Sequence, residues 1–524
     1  MKTLFVSGFM GTGKSTIAPR VASELGLPYV DTDAVLASRS GRAGATAASL
    51  VRDDERSFRA AEEALVLELA SAAKPSVVAL GGGALVSSRA RAAALASGVV
   101  VTLKASREAL LARLAGTERP LLGGDPAARI DELQLARAAA YSECHGEVWT
   151  DVLDEDAAVA AVCAVRAAAP VLVALGERSY RVHVVHDRPE VLTDVVAALG
   201  PSGLLAVTDS HVLRARGTAL ARALDAVFVP HRTCTLPPGE EHKTLATVDT
   251  IWEAGIAQGL DRDGVFVAFG GGVVGDLTGF AAATLYRGVR AVQVPTTLLA
   301  MVDASVGGKT GFDVAAGKNL IGAFAQPSAV VVDLAHLSTL PARHRRAGLA
   351  ELAKIALLLD EGLARELRER APELVAGPPE GLASVVRRAI ELKAGVVARD
   401  EREQGDRALL NFGHTVGHAL EAHGQYRTHL HGEAVAIGMV AELELAAAAG
   451  LVRRGVAGEV ESLLEALGLP TRPAGGELAA AAAYLGVDKK RRGERLRLPL
   501  AVAVGRGEVL PVLADDLRTA MRRA

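Results

Sequence analysis

Cysteine is scarce in this chain of 524 residues, which contains only Cys144, Cys163 and Cys234. The three are scattered, odd in number and without metal-ligand spacing, so a disulfide framework is not expected. This pattern predicts a protein of a reducing, cytoplasmic environment.

A large excess of charge of one sign is also absent, because the formal net charge is only −3. A non-specific nucleic-acid binder would be basic, so we expect no nucleic-acid partner. Anionic substrates would need local clusters of Lys and Arg. Half of the residues are hydrophobic, which excludes a disordered chain and predicts buried cores.

Long apolar runs suited to a membrane are missing as well. The most apolar stretch, Ala157 to Leu175, is mostly alanine and is interrupted by Arg166 and Pro170. A helix followed by a linker explains it better than a membrane span. The N-terminus lacks a small-residue cleavage site and runs into a glycine loop, which predicts a first strand and not a signal peptide.

Strands and helices alternate over the first two thirds of the chain, which predicts α/β architecture with parallel sheets. The Ala-rich segment ending at Pro170 indicates a domain boundary, and the pattern becomes mostly helical after Asp333. We expect three domains, at 1–167, 168–334 and 335–524. The predicted strands are Thr3–Ser7, Ser76–Leu80, Val99–Leu103, Val171–Leu175, Leu204–Thr208, Val265–Phe269 and Val289–Val294. The predicted helices include Ser15–Leu25, Gly348–Leu359, Ser384–Ala398 and Ala434–Ala449.

A phosphate-binding loop opens the chain, because the segment from Gly8 to Ser15, GFMGTGKS, matches the P-loop pattern between a strand and a helix. Glycines let backbone N–H groups surround phosphates, and the helix N-terminus adds positive potential. Lys14 should reach the β/γ-phosphates and Ser15 should ligate Mg²⁺. A glycine turn without nucleotide is the alternative. The predicted ATP-binding residues are Gly11, Thr12, Gly13, Lys14, Ser15 and Thr16.

Further polar and glycine motifs follow the P-loop in a fixed order, although each alone is weak. They are Asp31-Thr-Asp33, Glu55-Arg-Ser-Phe58-Arg59-Ala-Ala-Glu62, Gly81-Gly82-Gly83, Arg119-Pro-Leu-Leu and Arg137-Ala-Ala-Ala-Tyr141. In this order and spacing they resemble shikimate kinase over about the first 165 residues.

The resemblance implies roles for these residues. Asp33 would orient or deprotonate the acceptor hydroxyl, and Arg59 and Arg137 would bind the shikimate carboxylate. Asp31 would support Mg²⁺ through water, and Arg119, on a mobile lid, would stabilise the transferring charge. The implied shikimate-binding residues are Asp33, Arg59, Gly81, Gly82, Gly83 and Arg137.

Three positions depart from the family pattern and bear on shikimate affinity. Thr46 and Leu50 stand where an Ile and a Phe are usual, and Asp54 replaces a Gly. The alternative is another small-molecule P-loop kinase, such as a gluconate-type kinase.

A second glycine turn, Gly270-Gly271-Gly272-Val-Val-Gly275-Asp276, directly follows a predicted strand and suits a dinucleotide pyrophosphate. Within about fifty residues come Tyr286-Arg287-Gly288, Pro295-Thr296-Thr297, Asp303-Ala-Ser-Val-Gly-Gly-Lys309 and Gly317-Lys318-Asn319. Such a density of small, cationic and polar residues indicates a binding site and not a plain core.

A metal site is predicted further along the chain. In NFGHTVGH, His414 and His418 share one helical face, His431 follows after a loop, and Glu351 lies on a predicted helix beside Lys354. Two histidines and one carboxylate form a catalytic zinc set with an open position for substrate.

From about Val171 to the C-terminus these segments resemble 3-dehydroquinate synthase, together with Leu175-Gly-Glu-Arg-Ser-Tyr180 and Pro238-Gly-Glu-Glu-His-Lys243. The implied zinc ligands are Glu351, His414 and His431. The implied NAD-binding residues are Asp209, Glu240, Lys243, Gly271, Gly272, Asp276, Thr296 and Thr297. The implied substrate residues are Asp303, Lys309, Lys318, Asn319, Lys354, Lys393, Arg407, Asn411, His418 and Lys489 or Lys490. Lys309, Lys354, Arg407 and His418 would be catalytic. His211, where Asn is common, is a departure near the nucleotide.

The two resemblances together imply a bifunctional shikimate-pathway enzyme. One site would phosphorylate shikimate with ATP and Mg²⁺. The other would use NAD⁺ and Zn²⁺, or another divalent ion such as Co²⁺, to convert a seven-carbon phosphorylated keto acid to 3-dehydroquinate. The resemblance also implies a homodimer through the synthase part. The two reactions are not consecutive, so direct channelling has no chemical basis.

Other functions remain open for the second half at this stage. Polyol dehydrogenases share the glycine turn and metal helices but need fewer cations, and other sugar-phosphate cyclases are closer still. Asn319 and His418 favour the dehydroquinate type. A non-catalytic scaffold would be expected to have lost Lys14, Glu351 or a zinc histidine, and all are present.

Overall fold

The computed structural model describes residues 2–116, 122, 125–315, 317–487, 491–492 and 495–523. The chain forms two compact units, Met1–Arg181 and Val182–Ala524. In the described ranges, none of the helices has both the length and the apolar character that crossing a bilayer requires.

The first unit is an α/β unit. Its strands are β1 (Thr3–Gly8), β2 (Tyr29–Asp31), β3 (Val77–Ala79), β4 (Gly98–Lys104), β5 (Gly146–Trp149) and β6 (Val171–Val173). Its helices are α1 (Lys14–Leu25), α2 (Thr32–Arg39), α3 (Ala47–Asp53), α4 (Glu55–Ala70), α5 (Ser88–Ser97), α6 (Arg107–Leu114), α7 (Pro126–Ala136), α8 (Ala138–Ser142) and α9 (Glu155–Ala168).

Five of these strands form a parallel sheet in the order β2-β3-β1-β4-β5. Alternate residues of β1 point to opposite faces. Leu4 and Val6 pack with residues of α1 and α9, whereas Phe5 packs with residues of α4, α5 and α8. The predicted sheet with helices on both faces is thereby confirmed.

The second unit begins inside a strand and is larger. Its strands are β7 (Tyr180–Val185), β8 (Leu204–Asp209), β9 (His231–Leu236), β10 (Val265–Gly270), β11 (Arg290–Pro295), β12 (Lys309–Val314), β13 (Gly317–Phe324), β14 (Ala329–Asp333), β15 (Arg491–Arg492), β16 (Arg495–Ala503) and β17 (Arg506–Leu513). Its helices are α10 (Glu190–Ala197), α11 (Ser210–Asp225), α12 (Leu245–Ala257), α13 (Gly272–Thr284), α14 (Ala342–Leu359), α15 (Glu361–Glu369), α16 (Ala371–Ala376), α17 (Ala383–Arg399), α18 (His414–His423), α19 (His431–Ala448), α20 (Gly455–Ala466), α21 (Glu477–Ala481) and α22 (Ala514–Arg523).

The unit also contains short helical turns. Its 3₁₀ turns are Glu240–His242, Leu285–Arg287, Leu334–Thr339, Pro379–Leu382, Asp406–Asn411 and Ala482–Val487, and Ala300–Ala304 is a π-helical turn. The first unit has a 3₁₀ turn at Ala84–Val86.

Five strands of the second unit lie in the parallel order β14-β11-β10-β8-β9. Leu205 and Phe266 face α12 and α13, whereas Leu204 and Val265 face α10 and α11. Helices therefore cover both faces of this sheet too, as the strand runs predicted.

After Asp333 the unit is mostly helical, as predicted. The helix α14 is central, because nearly every residue from Ala347 to Leu358 is buried, including Glu351 and Lys354. It contacts α15, α17 and α19. Two antiparallel features were not predicted from the sequence: the β12–β13 hairpin and the sheet β15-β16-β17.

Candidate active sites

The P-loop connects β1 to α1 as the motif predicted. Gly11 and Gly13 adopt positive φ values of 81° and 91°, which favour glycine. The ammonium of Lys14 donates to the carbonyl oxygens of Gly8 at 2.7 Å and Phe9 at 2.9 Å. The loop therefore curls around its own lysine in front of a helix N-terminus. The other predicted ATP-binding residues, Thr12, Ser15 and Thr16, lie on the same loop and the first turn of α1.

The three glycines after β3 lie against the predicted acceptor-binding side chains. A side chain at Gly81 would overlap Glu62 and Asp33, and one at Gly83 would overlap the guanidinium of Arg59. A side chain at either glycine would displace these groups. The structure thus brings the predicted Asp33, Arg59 and glycine run together.

Arg137 completes this group from another part of the chain. It is buried and donates to the carbonyl oxygen of Gly82 at 2.9 Å, and the Tyr141 hydroxyl donates to the same oxygen at 2.5 Å. Arg59 pairs with Glu62 at 2.7 Å. The two predicted carboxylate-binding arginines are therefore held by fixed partners on one side of a single cavity.

Two residues of this site were missed as functional from the sequence. Glu62 is buried, and burial raises the pKa of its carboxyl group against the opposing effect of Arg59. It lies three residues after Arg59 on one helix face, a signal that was available. Arg113 donates to the Gly11 carbonyl at 3.2 Å and to the Thr150 hydroxyl at 2.9 Å, which fixes it beside the P-loop.

One cavity of about 500 Å³ is lined by both the P-loop and this acceptor group. Its walls include Lys14, Ser15, Asp33, Arg59 and Arg137. A nucleotide and a small acceptor would therefore meet in one space. Arg119, predicted on the lid, lies outside the described residues.

The three departures from the family pattern have local structural roles. Thr46 forms a capping box with Ser49 at the start of α3. Asp54 accepts from the Ser57 N–H and caps α4, and these hydrogen bonds lower its pKa. Leu50 packs against the cluster that contains Phe58.

In the second unit the predicted nucleotide residues lie at the carboxyl ends of neighbouring strands. Asp209 ends β8, Gly271 follows β10 and Thr296 follows β11, and β10 pairs with both other strands. This edge of a parallel sheet is where dinucleotides bind. A Cβ on Gly271 would lie 3.2 Å from Thr297, and the buried Thr296 hydroxyl has no partner among the described residues. Asp209 also caps α11 by accepting from the N–H of residue 211.

The β12–β13 hairpin joins the predicted nucleotide and substrate residues. Lys243 is buried and donates to Asp276 at 2.5 Å and to the side chain of Asn319 at 2.7 Å. Lys318 lies 3.2 Å from both Glu240 and Glu421. Burial opposes the charge of Lys318, but these carboxylates raise its pKa to about 12. Both predicted groups of residues therefore belong to one connected polar site.

The predicted metal ligands come together although they are far apart in sequence. Ligand atoms of Glu351, His414 and His431 all lie within 4.8 Å of one another. The Nε2 atoms of His414 and His431 lie 3.7 and 3.6 Å from the same Glu351 oxygen. That oxygen is buried without a hydrogen-bond partner in the described part of the chain. This donor set fits a divalent cation.

The outward nitrogen of each histidine is already oriented by another group. Nδ1 of His414 lies 3.1 Å from the Phe412 carbonyl, and Nδ1 of His431 lies 3.3 Å from Glu421. Such contacts leave Nε2 for a metal. Burial opposes protonation of His431, but the neighbouring carboxylates of Glu421 and Glu351 raise its pKa to about 10. His418, Glu421 and His431 form an overlapping group, but its Glu421 is engaged in orienting His431.

Four predicted cations surround this centre, each held by an acceptor. Lys354 pairs with Glu351, Lys393 pairs with Asp303, and Lys309 pairs with Glu403. Arg407 is buried and donates to the Gly307 carbonyl at 3.0 Å. Burial lowers the pKa of Lys393 to about 8 despite its partner.

A cavity of about 710 Å³ borders the centre and is lined by Lys309, Lys318, Asn319 and His418. The predicted Asn411 lies next to it, because its amide contacts Glu403. These predicted substrate residues therefore lie at or next to one cavity, whereas Lys489 and Lys490 lie outside the described residues.

Two buried carboxylates of this site were missed. Glu421, three residues after His418, contacts both His431 and Lys318. Glu442 is fully buried on α19 and accepts from the N–H groups of Gly413 at 2.8 Å and Val416 at 3.0 Å. No sequence motif indicated Glu442, because its contact depends on how α18 and α19 pack.

Comparison with known proteins matches successive parts of the chain to two enzyme families. Residues 10–166 match the shikimate kinase family, 233–347 the 3-dehydroquinate synthase N-terminal family and 348–491 its C-terminal family. The 3-dehydroquinate synthase of Thermosynechococcus vestitus is 44% identical over 359 residues, covering 67% of this chain and 98% of that protein.

Two solved structures resemble the larger unit. One is 2-epi-5-epi-valiolone synthase from Streptomyces hygroscopicus subsp. jinggangensis with NAD⁺ and Zn²⁺ bound, at 32% identity and a TM-score of 0.60, covering 66% of this chain and 97% of that one. The other is 2-deoxy-scyllo-inosose synthase complexed with carbaglucose-6-phosphate, NAD⁺ and Co²⁺, at 27% identity and a TM-score of 0.61, covering 66% and 98%.

Fold and sites together define a P-loop kinase joined to an enzyme with the fold of sugar-phosphate cyclases. More specifically, the chain belongs to the 3-dehydroquinate synthase family and has a shikimate kinase domain at its N-terminus. It is a bifunctional enzyme of the shikimate pathway that acts on small molecules.

Proposed function

We propose that the first site transfers the γ-phosphoryl group of ATP to shikimate, and that the second converts 3-deoxy-D-arabino-heptulosonate 7-phosphate to 3-dehydroquinate with release of phosphate. One observation supports these two activities most strongly. The first unit assembles a P-loop with a two-arginine acceptor site, and the second assembles a Glu-His-His centre surrounded by four cations.

In the kinase site, Lys14 and the loop N–H groups would hold the nucleotide phosphates, with Ser15 as ligand and Asp31 as indirect support for Mg²⁺. Arg59 and Arg137 would bind the shikimate carboxylate, and Asp33 would orient the acceptor hydroxyl. Arg119 would stabilise the charge on the transferring group. The shared cavity of P-loop and arginines supports these roles.

In the synthase site, Glu351, His414 and His431 would hold zinc or cobalt. The nucleotide would lie along the strand ends, against Asp209, Glu240, Lys243, Gly271, Gly272, Asp276, Thr296 and Thr297. When bound, the metal would polarise substrate oxygens and NAD⁺ would accept and return a hydride. The buried oxygen of Glu351 and the close approach of Gly271 to Thr297 support this fit.

The chain's own residues would bind and orient the anionic substrate. Lys309, Lys354, Lys393 and Arg407 supply positive charge for its carboxylate and phosphate. Lys318, Asn319 and His418 line the adjoining cavity, where His418 can accept or deliver a proton. Asp303 and Asn411 complete the substrate pocket, and Lys489 is assigned there from the resemblance alone.

The remaining assignments complete the proposal. The domains are 1–167, 168–334 and 335–524. The enzyme works in the cytoplasm, supported by three cysteines that are all free.

It forms a homodimer through the synthase part, supported by exposed apolar side chains there at Phe228, Leu245 and Ile256. Light scattering on the purified chain would give a monomer mass if the dimer proposal is wrong.

The experiment that tests the function supplies each substrate pair to one preparation of the full chain. We expect phosphate and 3-dehydroquinate from the keto acid with NAD⁺ and a divalent metal, and shikimate 3-phosphate from shikimate with ATP and Mg²⁺. Turnover of a sugar phosphate in place of the keto acid would identify another cyclase, and phosphorylation of gluconate in place of shikimate another kinase.

A further inference from the structure

The stretch that leads out of the kinase, Val171–Arg181, belongs to the first compact unit and is called the joining segment below. It starts with β6 and turns at Leu175–Ser179. Gly176 has a positive φ of 63°, the Ser179 hydroxyl donates to its carbonyl at 2.6 Å, and the Leu175 N–H donates to the same hydroxyl at 2.8 Å. The turn is thus held in one conformation by its own side chain.

Two residues of the joining segment bind the stretch that follows α8. The Gly176 N–H donates to one carboxylate oxygen of Glu143 at 3.0 Å. Arg181 donates to the Cys144 carbonyl at 3.1 Å and to its sulfur at 3.0 Å, and lies 3.7 Å from Glu147. The joining segment is therefore hydrogen-bonded to the kinase at its turn and at its C-terminal end.

The partner of the joining segment is itself part of a clamp on the acceptor site. The second carboxylate oxygen of Glu143 pairs with Arg91, and only 14% of the Glu143 side chain is exposed. Arg91 also donates to the Leu85 carbonyl at 2.6 Å, two residues after the glycine run ends. The Glu143–Arg91 pair thus ties the end of α8 to the chain that leaves Gly81–Gly83.

The same two stretches form part of the predicted shikimate site. Arg137 and Tyr141, which flank or lie on α8, both donate to the Gly82 carbonyl. Two contacts therefore determine how far Arg137 and Tyr141 lie from the glycine run: their own hydrogen bonds to Gly82, and the Glu143–Arg91 clamp at the end of α8. A carboxylate that loses one of its donors is less fixed in position, so the partner that it holds is positioned less precisely.

We propose that the joining segment is a positioning element of the kinase: Gly176, which binds Glu143, and Arg181, which binds the neighbouring Cys144, fix the Glu143–Arg91 clamp, and the clamp holds Arg137 at the spacing that shikimate requires. Neither Glu143 nor Arg181 touches substrate, and both act through Arg137. The proposal rests on the shikimate kinase function proposed above. It gives the fusion a physical role, because this stretch lies beyond residue 166, where the match to the kinase family ends.

The test is steady-state kinase kinetics on the full chain, with shikimate and ATP varied separately. Arg181→Met and Glu143→Gln should each raise the KM for shikimate by about tenfold, the value of one charge-assisted hydrogen bond. The KM for ATP and the phosphate release of the synthase should not change. Arg181→Lys keeps a donor and should recover part of the loss, whereas Arg188→Met removes only an exposed ion pair and should change nothing.

An unchanged shikimate KM in both variants would overturn the proposal, as would an equal rise in the KM for ATP. If Glu143→Gln does not fold, Arg181→Met decides, because it removes the contacts with Cys144 and Glu147 and leaves the Glu143–Arg91 pair in place. A full chain that phosphorylates gluconate and not shikimate would instead overturn the proposed function, and this inference with it.

Discussion

Lys14 belongs to the kinase site alone, so its substitution should affect one of the two reactions and not the other. Its ammonium is fixed at the P-loop by two carbonyl oxygens, in the first unit. Lys14→Ala should slow ATP-dependent phosphorylation of shikimate by about 10²–10³-fold, since it removes a preorganised charge from the transferring phosphate. Phosphate release from the keto acid should be unaffected.

Lys74→Ala is the matched control, because Lys74 is an exposed lysine of the same unit. The rate of transfer of radioactive phosphate from ATP to shikimate is measured for the unaltered chain and for the two variants. Near-native transfer by the Lys14 variant would show that the P-loop assignment is wrong.

Glu442 is a buried charge that no sequence motif indicated. It accepts from two N–H groups at the start of α18, the helix that presents His414 and His418. In Glu442→Gln one oxygen becomes a donor that faces a backbone N–H. We expect a loss of about 1.5–3 kcal/mol in stability of the second unit, the cost of a broken buried hydrogen bond to a charged group.

The measurement is chemical unfolding followed by a probe in the second unit, with Glu444→Gln as control. Glu444 lies on the same helix but is exposed and pairs with Arg472 at the surface. Equal stability of the two variants would contradict the role given to Glu442.

Among the elements, α18 and α19 determine which imidazoles can reach a metal. They present His414, His418 and His431 within one group, yet only two of these have Nε2 close to Glu351. His414→Ala and His431→Ala should therefore lose most of the bound zinc, because each removes a ligand. His418→Ala should keep its zinc and lose turnover.

Zinc content by atomic absorption on the three purified variants distinguishes the assignments. Full zinc in His414→Ala together with loss in His418→Ala would replace the Glu351 group by the overlapping group of His418, Glu421 and His431. Full zinc in His431→Ala would contradict both groups, because His431 belongs to each.

Elements with a strong local pattern were predictable from the sequence, and those that depend on tertiary pairing were not. The strand before Gly8 and the helix after it agree with the structure to within a residue or two. The β12–β13 hairpin was missed because Gly311 and Gly322 interrupt its alternation. Those glycines allow its two strands to approach so closely that any side chain there would overlap backbone.

Site residues followed the same rule. Those inside a motif, such as Lys14 and His414, were identifiable because motif and chemistry coincide. Glu442 and Arg113 act through partners 26 to 29 and 37 to 102 residues away, so only the fold reveals them.

At the scale of the whole molecule, the two halves should be separable. The hydrophobic core that contains Leu4 and Val6 includes no residue after Ala169 among those described, and the core that contains Leu204 and Val265 includes none before Val191. Fragments 1–168 and 169–524 should each fold and keep one activity, because their hydrophobic cores are distinct. The kinase fragment should bind shikimate more weakly than the full chain, since it lacks the joining segment.

A longer kinase fragment, 1–185, retains the joining segment and should recover the shikimate KM of the full chain. Solubility and the two assays measure the outcome. Insolubility of both 1–168 and 169–524, with a soluble full chain, would show that the halves do not fold independently.

The central claim is that one chain contains two chemically independent sites, of which only the second depends on Glu351. The most direct measurement is both reaction rates on full-length Glu351→Gln. We predict that phosphate release from the keto acid disappears, because a metal ligand is lost, while shikimate phosphorylation stays at the rate of the unaltered chain. Persistent phosphate release, or parallel loss of both reactions in a folded protein, would contradict the account.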